Sequence, residues 1–164
     1  MRFAYADPPY FGCGKRHYTQ HHDDAAKWDT RDAHLELVAT LRGYDGAALS
    51  CLARDLAWLL PACPGNALVA AWVKPFGSGF KPNQRIIRAW EPVVYWTPRT
   101  LGAETVRDVL TANAALGTGL VGAKPPAFNR WVIDLLGVKS GDTLDDLFPG
   151  TGSMQVERCQ GVLL

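Results

Sequence analysis

Four consecutive residues near the start of the sequence, Asp7-Pro8-Pro9-Tyr10, combine a carboxylate, two rigid residues and an aromatic ring. A carboxylate and a neighbouring backbone carbonyl can together accept the hydrogens of an exocyclic amine and turn its nitrogen lone pair towards an incoming methyl group. Proline fixes φ at both following positions, which holds that carbonyl rigidly, and a tyrosine ring offers a stacking face for a planar base. The pattern indicates methyl transfer to an amine, although an ordinary Pro-Pro turn explains four residues equally well.

A second candidate site is the glycine-rich segment Asp146-Leu-Phe-Pro-Gly-Thr-Gly-Ser153. Glycines permit a tight turn and a close approach of the backbone to a ligand, and the amides at the start of a helix can meet a polar or anionic part of a nucleotide-like molecule. The segment matches neither GxGxxG nor a phosphate loop that ends in GK[ST]. Taken alone, it is as consistent with an ordinary connection as with a cofactor site.

Residues 11–31 are polar and have no apolar periodicity, which predicts a long exposed loop. Basic residues alternate there with aromatic ones, a composition that suits phosphate contact and base stacking. The candidate substrate-binding residues in this loop are Lys15, Arg16, Tyr18, Trp28 and Arg31, although an ordinary exposed loop is nearly as consistent with this composition. Four residues that can ligate metals also occur in it, at His17, His21, His22 and Asp24. Because no helical pattern surrounds them, the interpretation we favour is a solvated loop, and we predict no metal.

Two weaker candidates lie further along the chain. Basic residues between Lys81 and Arg88 could contact phosphate, but a solvated edge explains them equally well. The pair Trp90-Glu91 could face a base pocket, although tryptophan is more often a core residue.

The elements that must position these residues alternate between strands and helices. Strands are predicted at residues 2–6, 47–51, 67–73, 86–96 and 142–147. Helices are predicted from an Asp32 cap to Gly43, at 53–60, at 104–110, from Phe128 through Trp131, Val132, Leu135 and Leu136 to Gly137, and at 153–159. This alternation predicts an α/β fold with a mainly parallel sheet, helices on both faces, and an antiparallel edge from 86–96. Ligands bind such sheets beyond the carboxyl ends of the strands, where both motifs lie.

The length, composition and charge exclude several classes of protein. A chain of 164 residues with 48% hydrophobic and 20% charged residues fits one globular domain. A net charge of +1 excludes a protein that grips nucleic acid through bulk charge alone. No apolar run approaches the roughly 20 residues of a membrane span, and the first residues lack a secretory pattern. We therefore expect a cytoplasmic protein without a membrane partner.

The two motifs together resemble those of the S-adenosylmethionine (SAM)-dependent amino-methyltransferases of DNA, which act on adenine N6 or cytosine N4. The tetrapeptide Asp-Pro-Pro-Tyr matches their catalytic motif. Asp146 to Ser153 is similar to their Asp-Pro-Phe-x-Gly-Ser-Gly cofactor motif, with Leu147 in place of the proline and Thr151 in place of the serine. Lys124-Pro125 is similar to the Lys-Pro element that flanks the cofactor. The catalytic motif comes first, which resembles the permuted order of the beta group.

The resemblance implies one minimal methyltransferase domain over residues 1–164, with a Rossmann-like sheet and no separate target-recognition domain. It implies SAM as cofactor, DNA as partner and adenine N6 as the acceptor. The implied catalytic residues are Asp7, Pro8, Pro9 and Tyr10, and the implied cofactor-binding residues are Lys124, Asp146, Phe148, Gly150, Gly152 and Ser153. An RNA or small-molecule amino-methyltransferase and a catalytically silent cofactor-binding or DNA-binding module are the alternatives. Specificity is expected to come from the loops, from a second copy of the chain or from a separate partner.

Overall fold

The computed structural model describes residues 1–14, 23–75, 85–100, 105–114 and 124–149, and among residues 23–25 only the backbone. The strands are β1 (Arg2–Ala6), β2 (Gly46–Ser50), β3 (Leu68–Val73), β4 (Trp90–Trp96), β5 (Val109–Thr111) and β6 (Thr143–Asp146). The helices are α1 (Arg31–Leu41), α2 (Leu56–Leu59) and α3 (Pro126–Leu136), with 3₁₀ turns at Asp23–Asp29, Ala53–Asp55 and Leu60–Ala62. No helix in these ranges is long and apolar enough to cross a membrane.

The six strands form one mixed sheet in the order β5-β3-β4-β2-β1-β6. β1 is parallel to β2 and β6, and β3 is parallel to β5, whereas β4 is antiparallel to both β2 and β3. The predicted α/β class with a mostly parallel sheet is therefore confirmed. The antiparallel strand lies inside the described sheet instead of at its edge. As a result, β4 begins at the side of the sheet where β1 and β3 end.

Helices cover both faces of the sheet because successive strand residues point to opposite sides. Phe3 and Tyr5 of β1 face α3, whereas Ala4 and Ala6 of the same strand face α1 and α2. The predicted apolar stripe of α3 is buried in full, at Phe128, Trp131, Val132, Leu135 and Leu136. On the other face, Leu37, Val38 and Leu41 of α1 pack with Leu59 of α2. The described helices therefore form two layers, one on each face of the sheet.

The ends of the helices differ in part from the sequence predictions. Thr30 caps α1 instead of Asp32, since Thr30 has an extended backbone and its Oγ1 accepts from the Ala33 amide at 3.4 Å. Asp32 lies in the first turn, where a carboxylate favours the positive end of the helix. Helical turns also continue through Pro61 to Ala62, because a proline in the first residues of a turn loses no hydrogen bond. Gly137 ends α3 as predicted, with a left-handed φ of 66°.

The predicted helix over residues 104–110 is wrong within the described residues. Residues 105–107 have no regular structure, and Val109–Thr111 forms the edge strand β5. The Ala71 amide donates to Asp108 O at 2.8 Å, and the Ala112 amide donates to Val73 O at 3.0 Å. Pairing with the open side of β3 therefore outweighs a weak helical pattern. The predicted helix at 153–159 lies outside the described residues.

Gly46 offers a test of the packing between β1 and β2. A Cβ atom at this position would lie 2.9 Å from two carbons of the Phe3 ring and 2.9 Å from the backbone oxygen of Trp96. We expect Gly46→Ala to lower the free energy of unfolding by about 1–3 kcal/mol, since neither a buried ring nor a paired strand moves freely. Gly65→Ala, where a Cβ meets no atom within 4 Å, is the matched control. Urea denaturation compares the two, and equal midpoints would contradict the packing.

Candidate active site

Asp7 directly follows β1, and its carboxylate is held by Lys124. The Lys124 ammonium nitrogen lies 2.9 Å from Asp7 Oδ1 and 2.8 Å from Oδ2, so one cation spans both oxygens. The side chain of Lys124 is 7% exposed and that of Asp7 is 24% exposed. The cation is thus nearly enclosed, while the carboxylate can still be reached from solvent.

Tyr10 extends this ion pair towards β4. Its hydroxyl donates to Glu91 Oε2 at 2.9 Å and accepts from Lys124 Nζ at 3.2 Å. Burial, with added repulsion from the charges of Asp7 and Glu91, raises the pKa of Tyr10 well above its usual value. The phenol therefore keeps its proton near neutral pH and serves as a donor to Glu91.

Glu91 and Lys74 complete the network. Glu91 is the second residue of β4, and its Oε1 accepts from the Nζ of Lys74, which directly follows β3. Glu91 Oε2 lies 4.0 Å from Lys124 Nζ. Two ammonium groups thus face two carboxylates around one phenol, and the charges balance. Such balance is required because an unpaired charge in a mostly buried position is costly.

Aromatic rings surround the two ammonium groups. Lys124 Nζ lies 5.5 Å from the centre of the Tyr10 ring and 5.6 Å from the centres of the Trp72 and Phe128 rings. Lys74 Nζ lies 4.9 Å from the centre of the Trp72 ring. The negative faces of these rings add to the carboxylates in holding the cations.

The first residues of the predicted cofactor motif lie beside the catalytic motif. Asp146 ends β6 and pairs in register with Tyr5 of β1, so the carboxyl ends of these two parallel strands lie at the same edge of the sheet. Asp146 Oδ1 accepts from the Phe148 amide at 3.1 Å. Burial, with repulsion from Asp7, raises the pKa of Asp146. Gly150, Gly152 and Ser153 lie outside the described residues.

The predicted substrate-binding residues are described only in part. The Trp28 ring lies 5.0 Å from the ring of Phe148, and the Arg31 guanidinium lies 5.5 Å from the centre of the Trp58 ring. Trp28 therefore contacts a candidate cofactor residue. Lys15, Arg16 and Tyr18, together with His17, His21, His22 and the Asp24 side chain, lie outside the part that is described. Within that part, no group of three or more acidic, histidine or cysteine side chains could hold a metal ion.

Comparison with known proteins identifies the fold. No protein-family model and no curated protein matches the sequence. Among solved structures, the M1.HpyAVI–SAM complex matches with a TM-score of 0.64 and 14% identity, over 98% of this chain and 77% of that one. A second structure of M1.HpyAVI matches with a TM-score of 0.57 and 13% identity, over 98% and 76%. The chain has a Rossmann-like methyltransferase fold.

In this fold, Lys124 contacts Asp7 and Tyr10 of the predicted catalytic tetrapeptide, whereas the family resemblance implies that it binds the cofactor. Lys74 is absent from the sequence candidates, and Glu91 is only a weak one. A signal for Lys74 does exist, because a second Lys-Pro pair follows the apolar run of β3. For Glu91, the signal is a carboxylate inside an otherwise apolar strand.

An aromatic cluster, formed by Phe11, Trp28, His34, Trp58 and Phe148, connects the two motifs of the methyltransferase fold. His34 is 4% exposed, and its Nε2 donates to the backbone oxygen of Trp28 at 3.0 Å. Phe11 follows the predicted catalytic tetrapeptide, and Phe148 lies in the predicted cofactor motif. The cluster therefore fixes the distance between the two segments.

His34 predicts a loss of stability in mild acid. Burial lowers its pKa below the ordinary value of about 6.5, and the bond to Trp28 O opposes this only in part. The unfolded chain then binds a proton at a higher pH than the folded one, so stability falls as the pH drops from about 7 to about 5. We expect His34→Phe, which removes the titrating group, to reduce this slope. Thermal unfolding across that range measures it, and identical slopes would refute the role of His34.

Proposed function

We propose that this protein is a SAM-dependent methyltransferase that acts on an exocyclic amine, with adenine N6 in DNA as the acceptor. The observation that carries the proposal is the position of Asp7 and Tyr10 at the edge of the sheet where Asp146 also lies. The fold supports it, since M1.HpyAVI, whose complex with SAM has been solved, matches 98% of this chain.

The residues beside Asp7 fit a nucleotide-like cofactor. Asp146 is half-buried, and Phe148 engages only one of its oxygens, while the other has no partner within the described ranges. A carboxylate of this kind can accept from hydroxyl or amino groups of a ligand. Phe148 supplies an apolar surface next to it. We propose that both residues border SAM, together with Gly150, Gly152 and Ser153 of the same motif.

In the proposed reaction, Asp7 holds the amine. Its carboxylate and the adjacent backbone carbonyl accept the two amine hydrogens, which turns the nitrogen lone pair away from them. SAM, when bound, supplies a methyl group that is already activated by a sulfonium. As the amine nitrogen forms the new bond to the methyl carbon, the bond from that carbon to the sulfonium sulfur would break and its electron pair would stay on sulfur as a neutral thioether; the surplus proton on nitrogen passes to Asp7 or to solvent. Alignment of the two reactants, rather than a covalent nucleophile, supplies the rate.

Lys124 and Tyr10 have supporting roles in this mechanism. Lys124 contacts both oxygens of Asp7, so it fixes the plane of the carboxylate before the acceptor arrives. Tyr10 offers its ring as a stacking surface for a base that has left its helix. Pro8 and Pro9 hold the backbone between them. These four residues and Asp7 form the acceptor side of the proposed site.

The choice of DNA rests on the resemblance of the motifs and on the fold. The net charge of +1 leaves phosphate contacts to local residues, for which Lys15, Arg16, Tyr18, Trp28 and Arg31 are the candidates. We propose a cytoplasmic enzyme, in which a second copy of the chain or a separate partner adds sequence specificity.

Two measurements, made one after the other, test the proposed function. Isothermal titration calorimetry with SAM is expected to show binding, and no binding at millimolar SAM would overturn the proposal. Transfer of a labelled methyl group is then measured with DNA, RNA and free nucleosides, followed by digestion to identify the product. We expect N6-methyladenine in DNA. Label in RNA or in nucleosides would mean that the acceptor is not DNA. Binding of SAM without any methyl transfer would indicate a catalytically silent module.

A further inference from the structure

We infer that Glu91, held by Lys74, is a positioning residue that sets the Tyr10 ring for the acceptor; this inference rests on the proposed methyl transfer. Neither residue belongs to the two motifs. Lys74 directly follows β3 and Glu91 is the second residue of β4, and their side chains meet because β4 is antiparallel to β3.

The Tyr10 hydroxyl has two partners in the described residues, Glu91 and Lys124. Lys124 is shared, since the same nitrogen also contacts both oxygens of Asp7. Glu91 is therefore the partner that bonds Tyr10 without contacting Asp7, and its ion pair with Lys124 is longer, at 4.0 Å. A bond at the far end of a ring limits its rotation and tilt, which are the properties that decide whether a base can stack on it.

Glu91 is suited to this role because it is itself fixed. Its backbone lies opposite Trp72 in the β3–β4 ladder, and its side chain is 19% exposed. One carboxylate oxygen accepts from Lys74 and the other accepts from Tyr10. Both oxygens are thus engaged, so Glu91 acts on the acceptor through Tyr10 and is not a second base for the amine.

The burial of Lys74 explains why a charged residue, Glu91, bonds to Tyr10. Its side chain is 7% exposed and its nitrogen lies against the Trp72 ring, so the ammonium needs a nearby anion. Glu91 is that anion. The strength of the Lys74–Glu91 pair fixes the carboxylate more firmly than a bond to a neutral group would.

A double-mutant cycle tests the inference in the whole 164-residue chain. We expect Glu91→Ala to lower kcat/KM for DNA by about tenfold, through a higher KM, a lower kcat or both. This is the loss expected when a hydrogen bond to a charged group is removed. The Kd for SAM should stay unchanged, since β6 is three strands from β4. In a Tyr10→Phe background, the same substitution should cost less than about twofold, because the hydroxyl is already absent. An equal loss in both backgrounds would overturn the inference.

A further variant separates positioning from folding. Glu91→Gln combined with Lys74→Met removes both charges and leaves an oxygen that can accept from Tyr10. We expect this double variant to fold and to retain more transfer than Glu91→Ala. If the double variant is folded yet no better than Glu91→Ala, the hydrogen bond to Tyr10 is not the cause. Wild-type protein without transfer to any acceptor would instead contradict the proposed function.

Nuclear magnetic resonance of ring-labelled tyrosine gives a readout that needs no activity. The Tyr10 signal is assigned as the one missing in Tyr10→Phe, and Glu91→Ala is expected to shift it. Tyr44, whose hydroxyl donates to Asp145 at 2.9 Å, is the matched control. Asp145→Ala should shift the Tyr44 signal and leave that of Tyr10 in place. An unchanged Tyr10 signal in Glu91→Ala would overturn the inference even if transfer is absent.

Discussion

Asp7→Ala is expected to lower the rate of methyl transfer by about 100- to 1000-fold, the usual cost of removing one preorganised polar group at a reacting centre. The carboxylate orients the amine, and no other described carboxylate lies on the same backbone turn. Binding of SAM should change little, because Asp146 and Phe148 remain in place. Single-turnover transfer of labelled methyl groups, together with calorimetry, measures the two effects separately.

Two controls make this result specific. Asp45→Ala removes an exposed carboxylate that accepts from the Arg2 amide at the opposite end of β1, and it should leave transfer unchanged. Asp7→Ala combined with Lys124→Met removes the ammonium that the single variant leaves without its partner. The combined variant should fold, since no unpaired charge remains, and it should still be inactive. Loss of chemistry is thereby separated from loss of folding. Transfer that survives in folded Asp7→Ala would refute the catalytic assignment.

Phe128→Ala is expected to lower the free energy of unfolding by about 3–5 kcal/mol, as is typical for a phenylalanine removed from a core. Phe128 is fully buried, and its ring centre lies 5.0 Å from that of Trp72 and 5.8 Å from that of Trp131. The cavity would open directly beneath Lys124. Urea or thermal denaturation measures the loss.

Ile86→Ala is the comparison for this variant, because Ile86 is 63% exposed and its removal opens no cavity. We expect a change below about 0.5 kcal/mol. Similar losses for both variants would mean that Phe128 does not anchor the core. A stable Phe128→Ala protein with weakened transfer would instead show that the ring acts mainly by supporting Lys124.

Local pattern was sufficient to predict most of the elements. The stripe from Phe128 to Leu136 predicts α3 because a helix buries residues at that spacing, and Gly137 ends it through its backbone freedom. The apolar runs at Phe3 and Leu49 predict strands for the same reason of burial. Knowing that ligands bind where parallel strands end was then enough to predict that Asp7 and Asp146 lie near one another. Their chemical roles stay predictions.

The order of the strands could not be predicted in this way. An apolar run indicates a strand but not its neighbours, which are chosen by pairing over long distances in sequence. Hence the local pattern predicts an edge position for β4 and a helix that includes Val109 and Leu110, whereas pairing with β3 decides both. The contact between Lys74 and Glu91 depends on that same pairing. It could not be found without the fold.

The hydroxyl hydrogen of Tyr10 is committed to Glu91, so Tyr10 cannot donate a hydrogen bond to an incoming base. In the proposed methyl transfer to a base, its ring responds to the flatness of the base and not to the pattern of donors and acceptors along the base's edge. Discrimination between adenine and cytosine must then come from side chains outside the Asp7–Tyr10 turn. Retargeting this scaffold to another base should therefore succeed by changing those outer side chains, with the tetrapeptide, Lys124 and Glu91 kept as they are.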